Sequence, residues 1–273
     1  MAWVYVKFQR KEEFEFKMFD FFKKEKSRER ALAFVDYENW YITLENSYKM
    51  RPNVRKWHDA LHELYDVVDV SFFADFSNPA LRAEITKIRE VSNTIIETQN
   101  SRSHIKKDFT DFIMLDHIYQ KALLSRDIDV FILFTGDGHF SSVANFLRTK
   151  CRKKVVVFGP DEATSTQLKN CADQFIAVPS AIEVREHRKK LIVSHIEQIQ
   201  AQKENQRIVF GNTVKQIAQK YEIDQTLVTL LVKELIEEGV LISTKRYFGS
   251  GKFAKLLSVD KEKAEKLSYI TTK

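Results

Sequence analysis

Asp129-Val-Phe-Ile-Leu-Phe-Thr135-Gly-Asp-Gly-His139 places five consecutive apolar residues between two aspartates. A short run that is apolar on both faces suits the middle of a parallel sheet, where helices keep water from either side. Outward from it, further short apolar runs at 32–36, 67–73, 94–97, 154–158 and 174–178 alternate with helical patterns at 54–65, 79–91, 110–125, 140–150 and 165–170. Strands separated by crossover helices predict an α/β domain of three layers with a mostly parallel sheet.

The composition is compatible with such a core. The 273 residues are 44% hydrophobic, and only 7 Gly and 4 Pro argue against long disordered linkers. No stretch approaches the roughly 18 uninterrupted apolar residues of a membrane span. The charged N-terminus does not look like a secretory signal, so a cytoplasmic protein with no membrane partner is expected. Cys151 and Cys171 are the only cysteines and form no C-x-x-C; they read as buried thiols rather than a disulfide or zinc framework. The net charge of +6 divides as +3 over 1–30, −2 over 31–180 and +5 over 181–273. The flanks, not the middle, are therefore suited to meet a polyanion.

Five parts are expected: an N-terminal extension (1–30), the α/β domain (31–180), a connecting helix (181–206), a small winged helix-turn-helix domain (207–260) and a tail (261–273). The winged helix rests on a helix starting at an Asn212 cap, a second capped by Asp224 and stopped by Gly239, and strands at 240–244 and 253–257 around Gly249-Ser-Gly251. Its second helix holds one Lys and three Glu, poor material for reading bases. The wing offers Lys245, Arg246, Lys252 and Lys255 for a phosphate backbone. Nucleic-acid binding and protein docking both stay open for this module. The module and the phenylalanine-rich N-terminal extension are also the candidate surfaces for a protein partner or homo-oligomer.

Ligands of parallel α/β sheets gather beyond the carboxyl ends of the strands. The first strand ends in Asp36-Tyr-Glu-Asn39 and the central one in Thr135-Gly-Asp137; Lys107-Asp108-Phe-Thr-Asp111 opens a long helix. Carboxylates converging there repel unless a cation lies between them. Hard oxygen ligands suit Mg²⁺ or Mn²⁺, and phosphodiester hydrolysis is the natural reaction. Each aspartate alone also reads as a cap or turn former. Tyr37 and Trp40 read as packing before base stacking, and Glu38 as an outlying candidate. Asp36 is not followed by a second Asp two residues on, as a haloacid-dehalogenase phosphatase requires, and no G-x-x-x-x-G-K, G-x-G-x-x-G or H-E-x-x-H exists.

Together, Phe34-Val-Asp-Tyr-Glu-Asn-Trp40, residues 107–112, Phe134-Thr-Gly-Asp-Gly-His139 and Ser165-Thr-Gln-Leu168 with Ala172-Asp173 resemble a NYN domain, of the LabA-like branch of the PIN-like nucleases. The resemblance spans about 150 residues. It implies a divalent-metal-dependent nuclease, usually acting on RNA, with Asp36, Asn39, Asp111 and Asp137 catalytic and the three aspartates holding Mg²⁺ or Mn²⁺. Asp111 is preferred over Asp108, which is left to support the site; Asp173 reads as supporting the site as well or as merely capping the turn beside the last strand. Lys107 and His139 are candidate nucleic-acid contacts. At His139 the chain departs from family members that carry a second aspartate in a GDSDF motif. That departure favours the rival reading, a non-catalytic NYN-fold regulator.

Overall fold

The computed structural model describes residues 28–98, 109–202, 207–248 and 252–270. The readings made of the extension before residue 28, of Lys107 and Asp108, and of the turn 249–251 lie outside the described residues, as does the side chain of Lys252.

Six parallel strands form one sheet: β1 (Arg30–Asp36), β2 (Asp66–Ala74), β3 (Ile95–Glu97), β4 (Val130–Phe134), β5 (Lys154–Gly159) and β6 (Gln174–Ala177), in the order β3-β2-β1-β4-β5-β6. The period-two alternation of side chains splits the apolar residues into two cores. Ala31, Ala33, Val35, Ile132 and Phe134 face one, and Leu32, Phe34, Phe131 and Leu133 face the other. The first is covered by α1 (Tyr37–Thr43) and α2 (Val54–Leu64), the second by α5 (Phe109–Leu124), α6 (Ser141–Thr149) and α7 (Thr166–Cys171). The three expected layers are present.

Local differences have physical causes. The expected helix at 79–91 is two pieces, α3 (Pro79–Arg82) and α4 (Ile85–Arg89). Buried Glu84 sits at their joint, taking the Tyr37 hydroxyl at 3.1 Å and the Lys87 ammonium at 2.9 Å. Helix α1 follows β1 without a break and continues into one π turn, Leu44–Tyr48. Tyr37, Trp40, Tyr41, Leu44 and Tyr48, spaced on one helical stripe, are all buried. Trp40 stacks on Phe134 with ring centres 4.1 Å apart, so both aromatic residues beside Asp36 are core and unavailable to bases. Cys151 and Cys171 are free thiols, half-buried where buried ones were expected.

After β6, α8 (Ala181–Gln202) opens with a reciprocal cap: Ser180 N–H donates to Glu183 Oε2 at 2.8 Å and Glu183 N–H to Ser180 Oγ at 3.3 Å. Then come α9 (Phe210–Tyr221), α10 (Gln225–Glu237), an antiparallel hairpin of β7 (Leu241–Phe248) and β8 (Lys252–Val259), and α11 (Lys261–Lys266). Asp224 caps α10 by accepting from Leu227 N–H at 3.0 Å, and Gly239 adopts φ +72°, as read from the sequence. Asn212 is not the cap of α9. The helix starts at Phe210, straight out of a bridge between Val209 and Leu256 that places the turn earlier. The hairpin strands are longer than expected: β7 starts one residue later but runs on to Phe248, and β8 extends at both ends. The tail begins with α11, whose Ala264 and the following Tyr269 are buried in the C-terminal core.

Lys189 of α8, 5% exposed, binds Glu238 at 2.6 Å, Glu186 at 3.3 Å and Glu234 at 3.6 Å. Burial works against its charge, but these carboxylates outweigh it and raise its pKa. Arg185 also pairs with Glu234, and the Tyr269 hydroxyl donates to Glu186 at 3.0 Å. Glu234 of α10 and Glu238 at its C-terminal cap are thus spent on α8. Among the described residues no helix is long and apolar enough to cross a membrane.

Candidate metal centre

The strand order reverses between β1 and β4, and a crevice opens beyond the carboxyl ends of such a pair because their connections leave in opposite directions. Asp36 ends β1, and Thr135-Gly136-Asp137 follows β4. Asp36 is also the cap of α1: its Oδ1 accepts Asn39 N–H at 3.0 Å. The bland reading of a strand-terminal aspartate as a helix cap is therefore correct, and it is also what fixes the carboxylate.

One hydroxyl ties the two strand ends together. Thr135, 1% exposed, donates to Asp36 Oδ2 at 3.3 Å and accepts Asp137 N–H at 3.2 Å. Asn39 Oδ1 takes Gly136 N–H at 3.2 Å, so the amide spends its acceptor on the central turn. A side chain at Gly136 would begin 3.0 Å from the Ala163 carbonyl oxygen, and Ser165 N–H donates to the Gly136 carbonyl at 2.9 Å. The turn is thereby clamped from both neighbouring strand ends. Thr135 was missed by sequence reading as a functional position, although a buried Thr closing a run of five apolar residues is its signal.

Asp111 arrives from the third segment, in the first turn of α5. Next to it, Thr110 and Thr98 share a hydroxyl contact at 2.7 Å that ties the helix start to the end of β3. Asp111, Asp137 and His139 each offer one ligand atom, all within 4.8 Å of one another. Asp137 Oδ1 accepts His139 N–H at 2.8 Å and lies 3.3 Å from its Nδ1. His139, expected as a nucleic-acid contact, is thus placed as a third donor beside two carboxylates.

Asp36 is not part of that trio but feels it. The carboxyl is 4% exposed, and its pKa is pushed up to about 7. Burial is the largest cause, with the charges of Asp111 and Glu38 adding to it and the bonds from Asn39 and Thr135 opposing it. Glu38 itself accepts Asp75 N–H at 3.3 Å. A buried, hydrogen-bonded carboxyl held short of ionisation beside other carboxylates is the electrostatic state that a cation relieves. Two carboxylates and an imidazole, with a third carboxylate electrostatically coupled to Asp111, fit a divalent ion that accepts oxygen and nitrogen donors.

Asp173 is a correction. It precedes β6 and lies at the amino edge of the sheet, opposite the site, where its oxygens accept Val155 N–H at 2.8 Å and pair with Arg148 at 2.9 Å. It secures the starts of β5 and β6 and does not support Asp36 or Asp137. Lys245 and Arg246 are exposed on β7, in the hairpin of the C-terminal core rather than in the carboxylate constellation.

Residues 30–183 match the family model described as NYN domain. A solved structure of a protein of unknown function from Vibrio parahaemolyticus is similar at a TM-score of 0.52 and 26% identity, over 57% of this chain and 97% of that one. No curated protein matches the chain.

Proposed function

Because the chain belongs to the NYN domain family, we propose that it is a divalent-metal-dependent nuclease of the LabA-like branch, hydrolysing phosphodiester bonds in single-stranded RNA in the cytoplasm. The observation that carries this reading is the convergence of Asp36, Asp111, Asp137 and His139 from three chain segments on the strand switch point.

Asp111, Asp137 and His139 would hold Mg²⁺ or Mn²⁺, with Asp36 adding to the negative environment through its interaction with Asp111. When bound, the ion supplies charge neutralisation at the phosphate and a water of lowered pKa. The chain's own residues do the rest. Thr135 keeps Asp36 and Asp137 in fixed relation through its single hydroxyl, and Asn39, its oxygen committed to Gly136, presents its NH₂ side to orient a phosphate oxygen or a water. Phosphoryl transfer needs positioning and charge stabilisation more than covalent help, and these residues offer both. The rival, a non-catalytic regulator, draws on His139 in place of an acidic residue. The imidazole's place beside Asp111 and Asp137 keeps a donor where the family's aspartate would be, and this weighs for the enzyme.

The helices and hairpin after residue 207 would form a winged helix that holds substrate or a partner, with Lys245, Arg246 and Lys252 on its wing. The test is cleavage of labelled single-stranded RNA and DNA with Mn²⁺, Mg²⁺ or EDTA, for wild type beside Asp36→Asn and Asp137→Asn. Metal-dependent RNA cleavage lost in both variants supports the assignment; a folded Asp36→Asn protein cleaving at the wild-type rate sinks it.

A further inference from the structure

Two aromatic side chains stand in solvent on the hairpin: Tyr247 is 70% exposed and Phe253 52%. They are direct cross-strand partners, so both rings project from the same face, with centres 6.0 Å apart. The next pair on that face toward the core is Lys245 opposite Lys255, both exposed, with Lys245 Nζ 5.7 Å from the Phe253 ring. Further along the same face, Leu241, Leu257 and Val259 turn into the C-terminal core. The hairpin face thus runs from buried aliphatic residues, through opposed lysines, to two largely exposed rings.

This arrangement is not selected for stability. Like charges set directly opposite on a ladder are unfavourable, and exposed rings give up their burial. From Leu241 to Val259 there are four basic residues and no acidic one, so the hairpin holds no internal counter-charge. Helix α10, the usual reading element of such a module, has Glu234 and Glu238 tied to Arg185 and Lys189. Its most exposed positions, Gln225, Thr226, Leu230, Lys233 and Glu237, carry no net charge.

We infer that the hairpin, not α10, is the nucleic-acid contact of the C-terminal module, and that it takes a single strand by stacking unpaired bases on Tyr247 and Phe253 while Lys245 and Lys255 neutralise the adjoining phosphates. A ring can stack only on a base whose face is not already covered, so the occupant is single-stranded rather than duplex. Base stacking on aromatic rings tolerates any sequence, and the lysines track the backbone. The inference deepens the nuclease reading by naming how substrate is held, and binding without metal separates the two.

The test is fluorescence anisotropy of the full chain with a labelled single-stranded RNA, its duplex, and an abasic oligonucleotide of equal charge, in EDTA across a salt series. Circular dichroism melting checks each variant's fold; all changed residues are exposed. Tyr247→Ala with Phe253→Ala should weaken the single strand by at least about fivefold, leave the abasic strand unchanged and keep the salt dependence. Tyr247→Phe should bind as wild type. Lys245→Gln with Lys255→Gln should weaken both strands and flatten the log–log salt slope by about 1.4. Undiminished single-strand binding in the double-alanine variant, equal loss on the abasic strand, or tighter binding of duplex than of single strand would each overturn the inference. Loss of cleavage with this binding pattern intact would instead count against the metal centre alone.

Discussion

Replacing Asp36 by Asn removes the ionisable group whose environment is least suited to its charge, and the effect on the metal-free protein can be worked from the structure. The carboxyl titrates near 3.8 when unfolded and about 7 when folded. Below 3.8 both states are protonated and the site costs nothing. Between the two values the unfolded chain ionises first, so stability falls as pH rises; above about 7 the full cost remains. At about 1.4 kcal/mol per pK unit the cost is about 2 kcal/mol at pH 5 and about 4 kcal/mol at pH 8. Asn keeps an oxygen for the Asn39 N–H but meets the Thr135 hydroxyl with an amide, a pH-independent loss of about 1 kcal/mol. In EDTA, the Asn variant should therefore gain on wild type by about 2–3 kcal/mol between pH 5 and pH 8. In a melt that is roughly 5–10 °C.

Metal narrows that lead. Saturating Mn²⁺ stabilises wild type by about 2.7 kcal/mol at a hundred times its dissociation constant. The variant, with less negative charge at the site, should respond less. The assay is urea or thermal unfolding of both proteins at pH 5, 6, 7 and 8, with EDTA and with Mn²⁺. A wild-type-to-variant gap that stays constant from pH 5 to pH 8 in EDTA refutes the reasoning, because the Asp36 carboxyl would then not be held short of ionisation.

His139→Asp replaces an imidazole nitrogen with a hard oxygen, so the ratio of half-saturating Mg²⁺ to Mn²⁺, read by thermal shift or cleavage, should fall on the order of tenfold. Asp173→Ala should cost about 1–3 kcal/mol by unpairing Val155 N–H and Arg148. Its cleavage rate per folded molecule should equal wild type; a specific loss of rate would return Asp173 to the site. Lys189→Met leaves Glu234 and Glu238 facing each other without their shared cation. A loss of about 2–4 kcal/mol is expected in urea unfolding, less than for a fully buried pair because Glu238 reaches solvent. No change in unfolding would mean the α8–α10 contact is not held by this network.

The sheet was legible because its strands obey a rule that burial enforces locally: residues 31–35 and 130–134 are apolar on both faces, and only a central parallel strand needs that. Helix α1 shows where local pattern is ambiguous. Asp36-Tyr-Glu-Asn39 has the composition of a turn, while Tyr37, Trp40, Tyr41, Leu44 and Tyr48 form a helical stripe, and the Asp36–Asn39 cap makes both descriptions true at once. Asp173 could have been excluded by topology alone, since a residue preceding a parallel strand lies at the opposite edge from residues that follow one.

His139 and the protonation of Asp36 lie beyond that reach, because each depends on separate segments meeting. The imidazole's partners come partly from the turn that carries it and partly from α5, nearly thirty residues away. Asp36 is raised by burial first, and burial at that point is made by Thr135 from another strand together with the aromatic packing of α1. The sequence pattern says which carboxylates approach one another. How much charge they can bear together is decided by what closes over them, and that sets both the metal response and the pH at which the metal-free fold weakens.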